Sequence, residues 1–349
     1  MNEVGYGIIG CGTIAPIHAE SIKDAENARL VAVSDVREEN AKDLAARYGA
    51  EAYTDYTELL ARDDIHAVSL CIPSGMRAEI GEACANAGKH ILSEKPLEIN
   101  TKRIDRLINA ADANGVKLGC IFQFRFSQGA EKVHGALKEG RFGKLVLGDA
   151  YIKWYRSQAY YDSGAWRGTR ELDGGGCLMN QGVHQIDLLI SFFGKVKEVT
   201  AQTALVAHTG LEVEDLATAM LTFENGAMGV IEGSTAIYPG HAARVEVHGT
   251  AGSAIVEDGN LSYWQFQEDR PEDEAIRAAF AGEGDFGSGA ADPISSLKHE
   301  GHLRQIRDFT QAIIEDRMPA VDGREGRHAV ALIEAIYESA DNGGKRVTL

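Results

Sequence analysis

Apolar residues come in short runs through the first third of the chain. "VGYGIIG" from Val4, "RLVAVSD" from Arg29, "AVSLCI" from Ala67, "HIL" from His90 and "VKLGCIFQF" from Val116 read as strands. The segments between them, "APIHAESIKD", "ENAKDLAARYG", "AEIGEACANAG" and "KRIDRLINAADANG", repeat apolar residues at three- and four-residue spacing and read as helices. Three of these helices stop at Gly49, Gly88 and Gly115, where a glycine supplies the left-handed C-cap conformation. Strand and helix in alternation predict a parallel sheet with helices on both faces.

The texture changes after about residue 125. Helices are expected in "AEKVHGALKEG" and "QGVHQIDLLISFFG", and then strand-like alternation dominates: "VKEVTAQTAL", "DLATAMLTF", "GAMGVIEGSTA" and "ARVEVHGTAGSAIVED". "FENGA" predicts a hairpin whose Asn-Gly pair forms a type I′ turn. Residues 266–300 are polar, rich in Gly and Asp and without a period, which predicts a long loop or lid. Helices over about 301–316 and 325–341 close the chain. The fold class expected is α/β: a doubly wound parallel sheet over residues 1–123, then an α+β domain over 124–349 with an open, mostly antiparallel sheet, its closing helices able to pack back on the first domain.

Composition narrows the function classes. With 349 residues, of which 44% are hydrophobic and 25% charged, the chain suits about two soluble domains. A net charge of −17 with no basic stripe argues against nucleic acid as a partner. Cys11, Cys71, Cys84, Cys120 and Cys177 are scattered and odd in number, a pattern for reduced thiols rather than for a disulfide framework or a thiolate metal site, and no metal is expected. No run is apolar enough for a membrane span and the N-terminus enters a strand directly, so a cytoplasmic location is expected.

Three stretches carry chemistry. In "YGIIGCGTIA", Gly10, Gly12 and Ala15 form G-x-G-x-x-A between a strand and a helix, where backbone N–H groups can meet a pyrophosphate. Asp35 ends the next strand, 25 residues past Gly10, at the place of an acid that holds a ribose 2′-hydroxyl. A carboxylate there repels a 2′-phosphate and favours NAD over NADP, although Arg37 can stack on an adenine or meet that phosphate. In "HILSEKPLEI", Pro96 ends a strand on the sheet edge where doubly wound folds bind ligands. The Lys95–Pro96 bond is a candidate cis peptide. Lys95 is either a surface lysine in a turn or a cation aimed at a substrate hydroxyl. In "GGGCLMNQGVHQIDLL", helical spacing sets Asn180, His184 and Asp187 on one face. His184 is either a capped helix histidine or a base of suitable basicity.

Taken together, "SEKP" downstream of "CIPSGMRAEI" and the pattern G-G-G-x-L-x-N-x-G-x-H-x-x-D resemble the Gfo/Idh/MocA oxidoreductase family, which includes glucose-fructose oxidoreductase and inositol dehydrogenase. The likeness runs through to "PAVDGREGRHAVALIEAIYESA". It implies a Rossmann domain followed by an α/β domain whose open sheet joins two or four copies of the chain. It carries cofactor contacts over to Gly10, Gly12, Thr13, Ile14, Asp35, Pro73, Ser74, Glu94 and Lys95, and catalysis to Lys95 and His184, with position 180 as the third member. Many members have Asp at that position; Asn180 takes no proton and can only orient a hydroxyl. Arg77 departs as well, standing where relatives often have His, and is counted with Arg37 among the cofactor contacts.

The segment "KWYRSQAYYDSGAWRG" gathers Trp154, Tyr155, Arg156, Tyr160, Tyr161, Trp166 and Arg167. Aromatic faces among polar donors suit a sugar ring, and equally suit a loop pinned to its core. Arg156, Tyr160, Trp166 and Arg167, together with Arg125 of "FQFRF", are the expected substrate contacts beside Asn180 and His184. The function expected is NAD(P)-dependent oxidation of a secondary hydroxyl on a sugar, inositol or sugar derivative to a ketone. The alternatives are an NAD-dependent glycosidase working by oxidation and elimination, and a non-catalytic dinucleotide-binding regulator.

Overall fold

The computed structural model describes residues 2–279 and 299–349. They divide into two compact units, one from residues 2–123 with 299–327 and the other from 124–279 with 328–349.

The first unit alternates strand and helix: β1 (Val4–Ile9), α1 (Ala15–Asp24), β2 (Ala28–Ser34), α2 (Glu38–Tyr48), β3 (Glu51–Tyr53), α3 (Tyr56–Leu60), β4 (Ala67–Leu70), α4 (Arg77–Asn86), β5 (His90–Ser93), α5 (Thr101–Ala113) and β6 (Leu118–Cys120). All neighbours pair in parallel, in the order β3-β2-β1-β4-β5-β6. The order reverses between β1 and β4, and ligands of doubly wound sheets sit at the carboxyl ends beside such a switch. β1, β4 and β5 are wholly or almost wholly buried, as strands covered on both faces must be. Two elements escaped the sequence reading, the three-residue β3 and the five-residue α3, because neither is long enough to show a period. The last expected strand was read too long: β6 stops at Cys120, and Gln123–Phe126 forms a 3₁₀ turn. Gly49, Gly88 and Gly115 have φ of 69°, 71° and 64°, the C-cap conformation expected of them.

The second unit contains α6 (Gln128–Lys138), β7 (Leu145–Lys153), α7 (Gln158–Asp162), a π-helical turn (Cys177–Gly182) running into α8 (Val183–Phe193), and then β8 (Val196–Ala204), β9 (Leu216–Phe223), β10 (Met228–Ser234), β11 (Arg244–Gly249), β12 (Gly252–Glu257), β13 (Asn260–Phe266) and α9 (Pro271–Ala278). α10 (Glu300–Ile314) lies in the first unit, α11 (Gly323–Asp341) runs from the first into the second, and β14 (Val347–Thr348) ends the chain in the second. The second sheet has the order β13-β12-β11-β7-β10-β9-β8-β14. Only β7–β10 is parallel, so the sheet is mixed but mostly antiparallel. Burial along β9 alternates, with Ala217, Ala219, Leu221 and Phe223 inside and Met220 outside, the mark of a sheet covered on one face. The run "ARVEVHGTAGSAIVED" is two strands, β11 and β12, joined at Gly249–Gly252.

The β9–β10 hairpin forms as expected, but its turn is not type I′. Gly226 has φ of 85° whereas Asn225 has no positive φ, and the Gly226 N–H reaches the Phe223 carbonyl at 3.0 Å. This is a type I turn closed by a left-handed glycine. Asn225 is held in it by its own contacts, donating to the Phe193 carbonyl and accepting from the Ala227 N–H, each at 2.9 Å. Of the expected loop or lid over 266–300, α9 occupies one part, and residues 280–298 lie outside the described residues.

In the first unit α10 packs on α1 and β1 through Leu303, Ile306, Phe309 and Ile313, joining a core that includes Val4, Tyr6, Ile8, Ala19, Ile22 and Val33. Burying a Phe309-sized side chain is worth about 2–3 kcal/mol. Segments nearly three hundred residues apart in sequence therefore share one core.

Candidate active site

The Gly-rich turn follows β1. Gly10 has φ of 90°, and a Cβ there would come within 2.5 Å of the Cys71 carbonyl oxygen, so only glycine fits. Gly12 and Thr13 are exposed, and a Cβ on Gly12 would meet nothing within 4 Å. That open space lies at the start of α1, which Ile14 enters without a side-chain cap, so its first N–H groups suit a phosphate. Asp35 faces the turn: Oδ2 accepts from the Cys11 N–H and Oδ1 from the Arg37 N–H, both at 2.8 Å. Each carboxylate oxygen retains acceptor capacity for a ribose hydroxyl. Burial, reinforced by the Asp35 charge, pushes the Cys11 thiol up to about 12, so it adds no negative charge to the turn. These residues fit the adenosine and pyrophosphate end of NAD.

Pro73 and Ser74 leave β4 and enter a 3₁₀ turn, Ser74–Met76, that leads into α4. Arg77, at the head of α4, is buried, and its guanidinium grips the chain around Lys95. Nη1 donates to the carbonyls of Glu94, at 2.8 Å, and of Pro96, while Nε donates to the Ile72 carbonyl at 3.0 Å. The Lys95–Pro96 peptide is cis, the form for which it was a candidate. Lys95 is half-buried beyond the end of β5.

The Glu94 carboxylate points into the interior. Oε1 accepts from Nε2 of His18 at 2.9 Å and of His302 at 3.2 Å, while Oε2 accepts from the Lys95 N–H at 3.1 Å. The His18 ring is also bonded to Ser69 Oγ at 3.0 Å. Burial raises the cost of the Glu94 charge, yet the two imidazole donors win and hold its pKa well below the usual carboxylate range. Burial, against the pull of Glu94, lowers His18, so the ring donates as a neutral group. His18, Glu94 and His302 bring three metal-type donor atoms within 4.8 Å of one another, as do Asp149, Glu246 and His248 on β7 and β11. Sequence reasoning missed both histidines. His18, one turn into α1, could have been noticed; His302 is separated from Glu94 by 208 residues and leaves no local signal.

In the second unit, Gly174–Gly176 leads into the π turn. A Cβ on Gly176 would run into the Glu214 carbonyl, so here it is backbone that makes the close approach. The buried Glu214 carboxylate caps the turn, accepting from Gly176 N–H at 2.9 Å, Leu178 N–H at 3.1 Å and the Tyr337 hydroxyl at 2.9 Å. Burial nevertheless leaves its pKa raised. The π turn adds residues relative to an α-helix, so the spacing from Asn180 to His184 is not the regular helical step that the sequence implied.

His184, in the first turn of α8, is 8% exposed and meets Phe124 edge to face at 5.4 Å. Asp187 forms a bidentate pair with Arg125, both bonds being 2.7 Å. Asn180 Nδ2 donates to the buried Asp173 at 2.5 Å. Asp173 and Glu214, like Tyr337, were absent from the sequence reading.

Part of the aromatic segment pins the loop to its core. Trp154 and Tyr161 are buried, with the Tyr161 hydroxyl bonded to Thr235 Oγ1 at 2.7 Å, and Arg156 is buried against the Trp154 and Tyr160 rings. Tyr160 continues into a partly exposed group with Trp166 and Arg167: the Arg167 guanidinium lies 4.2 Å from the Tyr160 ring centroid and 4.5 Å from that of Trp166. The Tyr160 hydroxyl accepts from Arg167 at 2.6 Å and from Gln181, next to Asn180, at 3.2 Å.

Models of both halves of one enzyme family match the chain: "oxidoreductase family, NAD-binding Rossmann fold" over residues 4–122 and "oxidoreductase family, C-terminal alpha/beta domain" over 134–349. The chain is 28% identical over 344 residues, 96% of each sequence, to myo-inositol 2-dehydrogenase of Thermotoga maritima. Among solved structures it is similar to the WlbA dehydrogenase of Bordetella pertussis in complex with NADH and UDP-GlcNAcA, with a TM-score of 0.90 at 32% identity over 100% of this chain and 98% of that one. The WlbA dehydrogenase of Chromobacterium violaceum, with the same two ligands, gives 0.85 at 31% identity over 100% and 96%. No helix among the described residues is long and apolar enough to cross a membrane. With both domains matched and a Gly-rich turn that fits a dinucleotide, the chain belongs to the Gfo/Idh/MocA family and is an NAD-dependent oxidoreductase.

Proposed function

We propose that the enzyme interconverts a secondary hydroxyl and a ketone on a sugar ring, and that the sugar is nucleotide-linked, with UDP-GlcNAcA the first candidate. The observation that carries this reading is the likeness along the whole chain to two dehydrogenases complexed with NADH and UDP-GlcNAcA. NAD, when bound, supplies the hydride acceptor. His184 takes the hydroxyl proton, and the Lys95 ammonium stabilises the alkoxide that develops. Asn180 holds the hydroxyl, and the group formed by Tyr160, Trp166 and Arg167 offers ring faces and a cation to the sugar and its anionic groups. The same residues serve the reverse reduction.

The test is a panel of UDP-GlcNAcA, unlinked sugars, inositols and glycosides, each assayed with NAD and NADP by nicotinamide absorbance. UDP-GlcNAcA should give the highest kcat/KM. Lys95→Ala and His184→Ala should each lower kcat by roughly 10²- to 10⁴-fold, the usual contribution of a positioned acid or base. Full rate in both variants overturns the mechanism, and a preference for inositol overturns the substrate class. Conversion of a glycoside with no net absorbance change would indicate oxidation and elimination with retained cofactor instead.

A further inference from the structure

We propose that Asp173 is a positioning residue that fixes the orientation of the Asn180 carboxamide, holding Nδ2 on itself and turning Oδ1 away; this rests on the site reading given under Proposed function. Asp173 is 2% exposed and lies just before the Gly run. Its Oδ2 accepts from the Gly168 N–H at 2.9 Å, and its Oδ1 accepts from Asn180 Nδ2 at 2.5 Å. An ionised carboxylate has acceptors only, so the carboxamide must turn its nitrogen toward Asp173. Chemistry rather than packing thus decides the orientation of the amide. On the side away from Asp173 Asn180 then presents Oδ1, an acceptor with no proton to exchange. A buried negative charge behind the amide polarises it and strengthens that acceptor.

The backbone beneath the pair is held as well. Asn180 sits in the π turn whose entry is capped by Glu214 at Gly176 and Leu178. Through Gly168, the same Asp173 carboxylate ties down the end of the loop that carries Trp166 and Arg167. One buried charge therefore sets both the acceptor and one end of the aromatic group. It also dictates the residue type at position 180, because a second carboxylate there would face Asp173 directly and the two could not both ionise.

The test is a reciprocal exchange: Asn180→Asp, Asp173→Asn and the double variant, which restores one carboxylate and one amide with their places swapped. In the double variant residue 173 can still accept from Gly168 through its amide oxygen while donating to residue 180. With the best substrate of the panel and NAD, Asn180→Asp should lose at least about tenfold in kcat/KM at about pH 8 and much less at about pH 5, where the pair can share a proton. The double variant should recover about tenfold at the higher pH and flatten the profile. Melting without substrate gives an independent readout. The Tm deficit of Asn180→Asp should grow from about pH 5 to about pH 8, because a carboxyl whose folded pKa is raised loses its stabilisation as pH rises through that value. The exchange should remove this growth. A wild-type rate and pH profile in Asn180→Asp, or a double variant no better than the single one by either readout, overturns the proposal. If no sugar in the panel is turned over but the exchange restores the Tm, the substrate reading fails and the pair stands.

Discussion

The Asp35 carboxylate accepts backbone N–H groups from the glycine turn and from Arg37, so its position is set before any ligand arrives. Fixed at that place, its charge opposes a 2′-phosphate while its remaining lone pairs can take the ribose hydroxyls of NAD. Replacing it leaves the Cys11 N–H without its acceptor and removes the carboxylate that we propose holds the ribose. Asp35→Ser should raise the KM for NAD by roughly tenfold or more, in line with a lost bond to a charged group worth about 1.5–3 kcal/mol, and should shrink the preference for NAD over NADP. Initial rates with both cofactors check this, and an unchanged ratio of the two kcat/KM values would remove Asp35 from cofactor selection. The place of Asp35 beside the glycine turn was legible in the sequence because its distance from Gly10 and its position at a strand end are local facts. Asp173 was not, since an acid seven residues before Asn180 acquires its meaning only when the Gly run folds back through a π turn.

At the scale of elements, the end of β5 is held from three directions. α4 supplies Arg77 to the carbonyls of Glu94 and Pro96, α1 supplies His18 and α10 supplies His302 to the Glu94 carboxylate. The proline and the strand before it could be read from the sequence, and they located Lys95. The clamp could not, because its members come from helices whose polar inward positions look like interruptions in an otherwise apolar face. Arg77 shows the limit most clearly: sequence reasoning assigned it to the cofactor, whereas its guanidinium is buried on the backbone that carries Lys95. A lysine cannot span these carbonyls, lacking the planar fork of donors. Arg77→Lys should therefore lower kcat by about tenfold or more through a displaced Lys95, with the KM for NAD changed less than about twofold, since a misplacement of about 1 Å can cost up to about 10² in rate. Steady-state kinetics with substrate and NAD varied in turn separate the two parameters, and an unchanged kcat would show that the clamp does not govern Lys95.

Across the whole molecule, acid should act through buried and half-buried histidines in the two units. In the first unit, burial and the nearby Lys117 charge push His90 down to about 4, and its Nδ1 accepts the Lys117 N–H at 2.9 Å, which requires the neutral ring. In the second, burial and Arg125 push His134 down to about 4, with the ring packed edge to face on Phe192 at 4.8 Å. His18 is lowered by burial as well. A group whose folded pKa lies below its unfolded value of about 6.5 takes up its proton in the unfolded chain first as pH falls. Its stabilisation is complete above about pH 6.5 and is lost between there and about pH 4. Glu94 acts in a different window: its depressed pKa adds stability above about 4.3 that disappears only below that value. Charge repulsion does not explain a loss in the histidine window, since the net charge of −17 shrinks toward zero as the pH approaches the pI of 5.1. The Tm should accordingly decline from pH 6.5 to pH 4.5, and His90→Asn isolates one contributor. Asn Oδ1 can occupy the place of Nδ1 and accept from Lys117 without titrating. Calorimetry on this variant should give nearly the native Tm at about pH 7.5 and a decline on the acid side shallower by a few degrees, the effect being less than that of a full proton because His90 is only partly buried. A variant that keeps the whole acid slope would place the titration elsewhere.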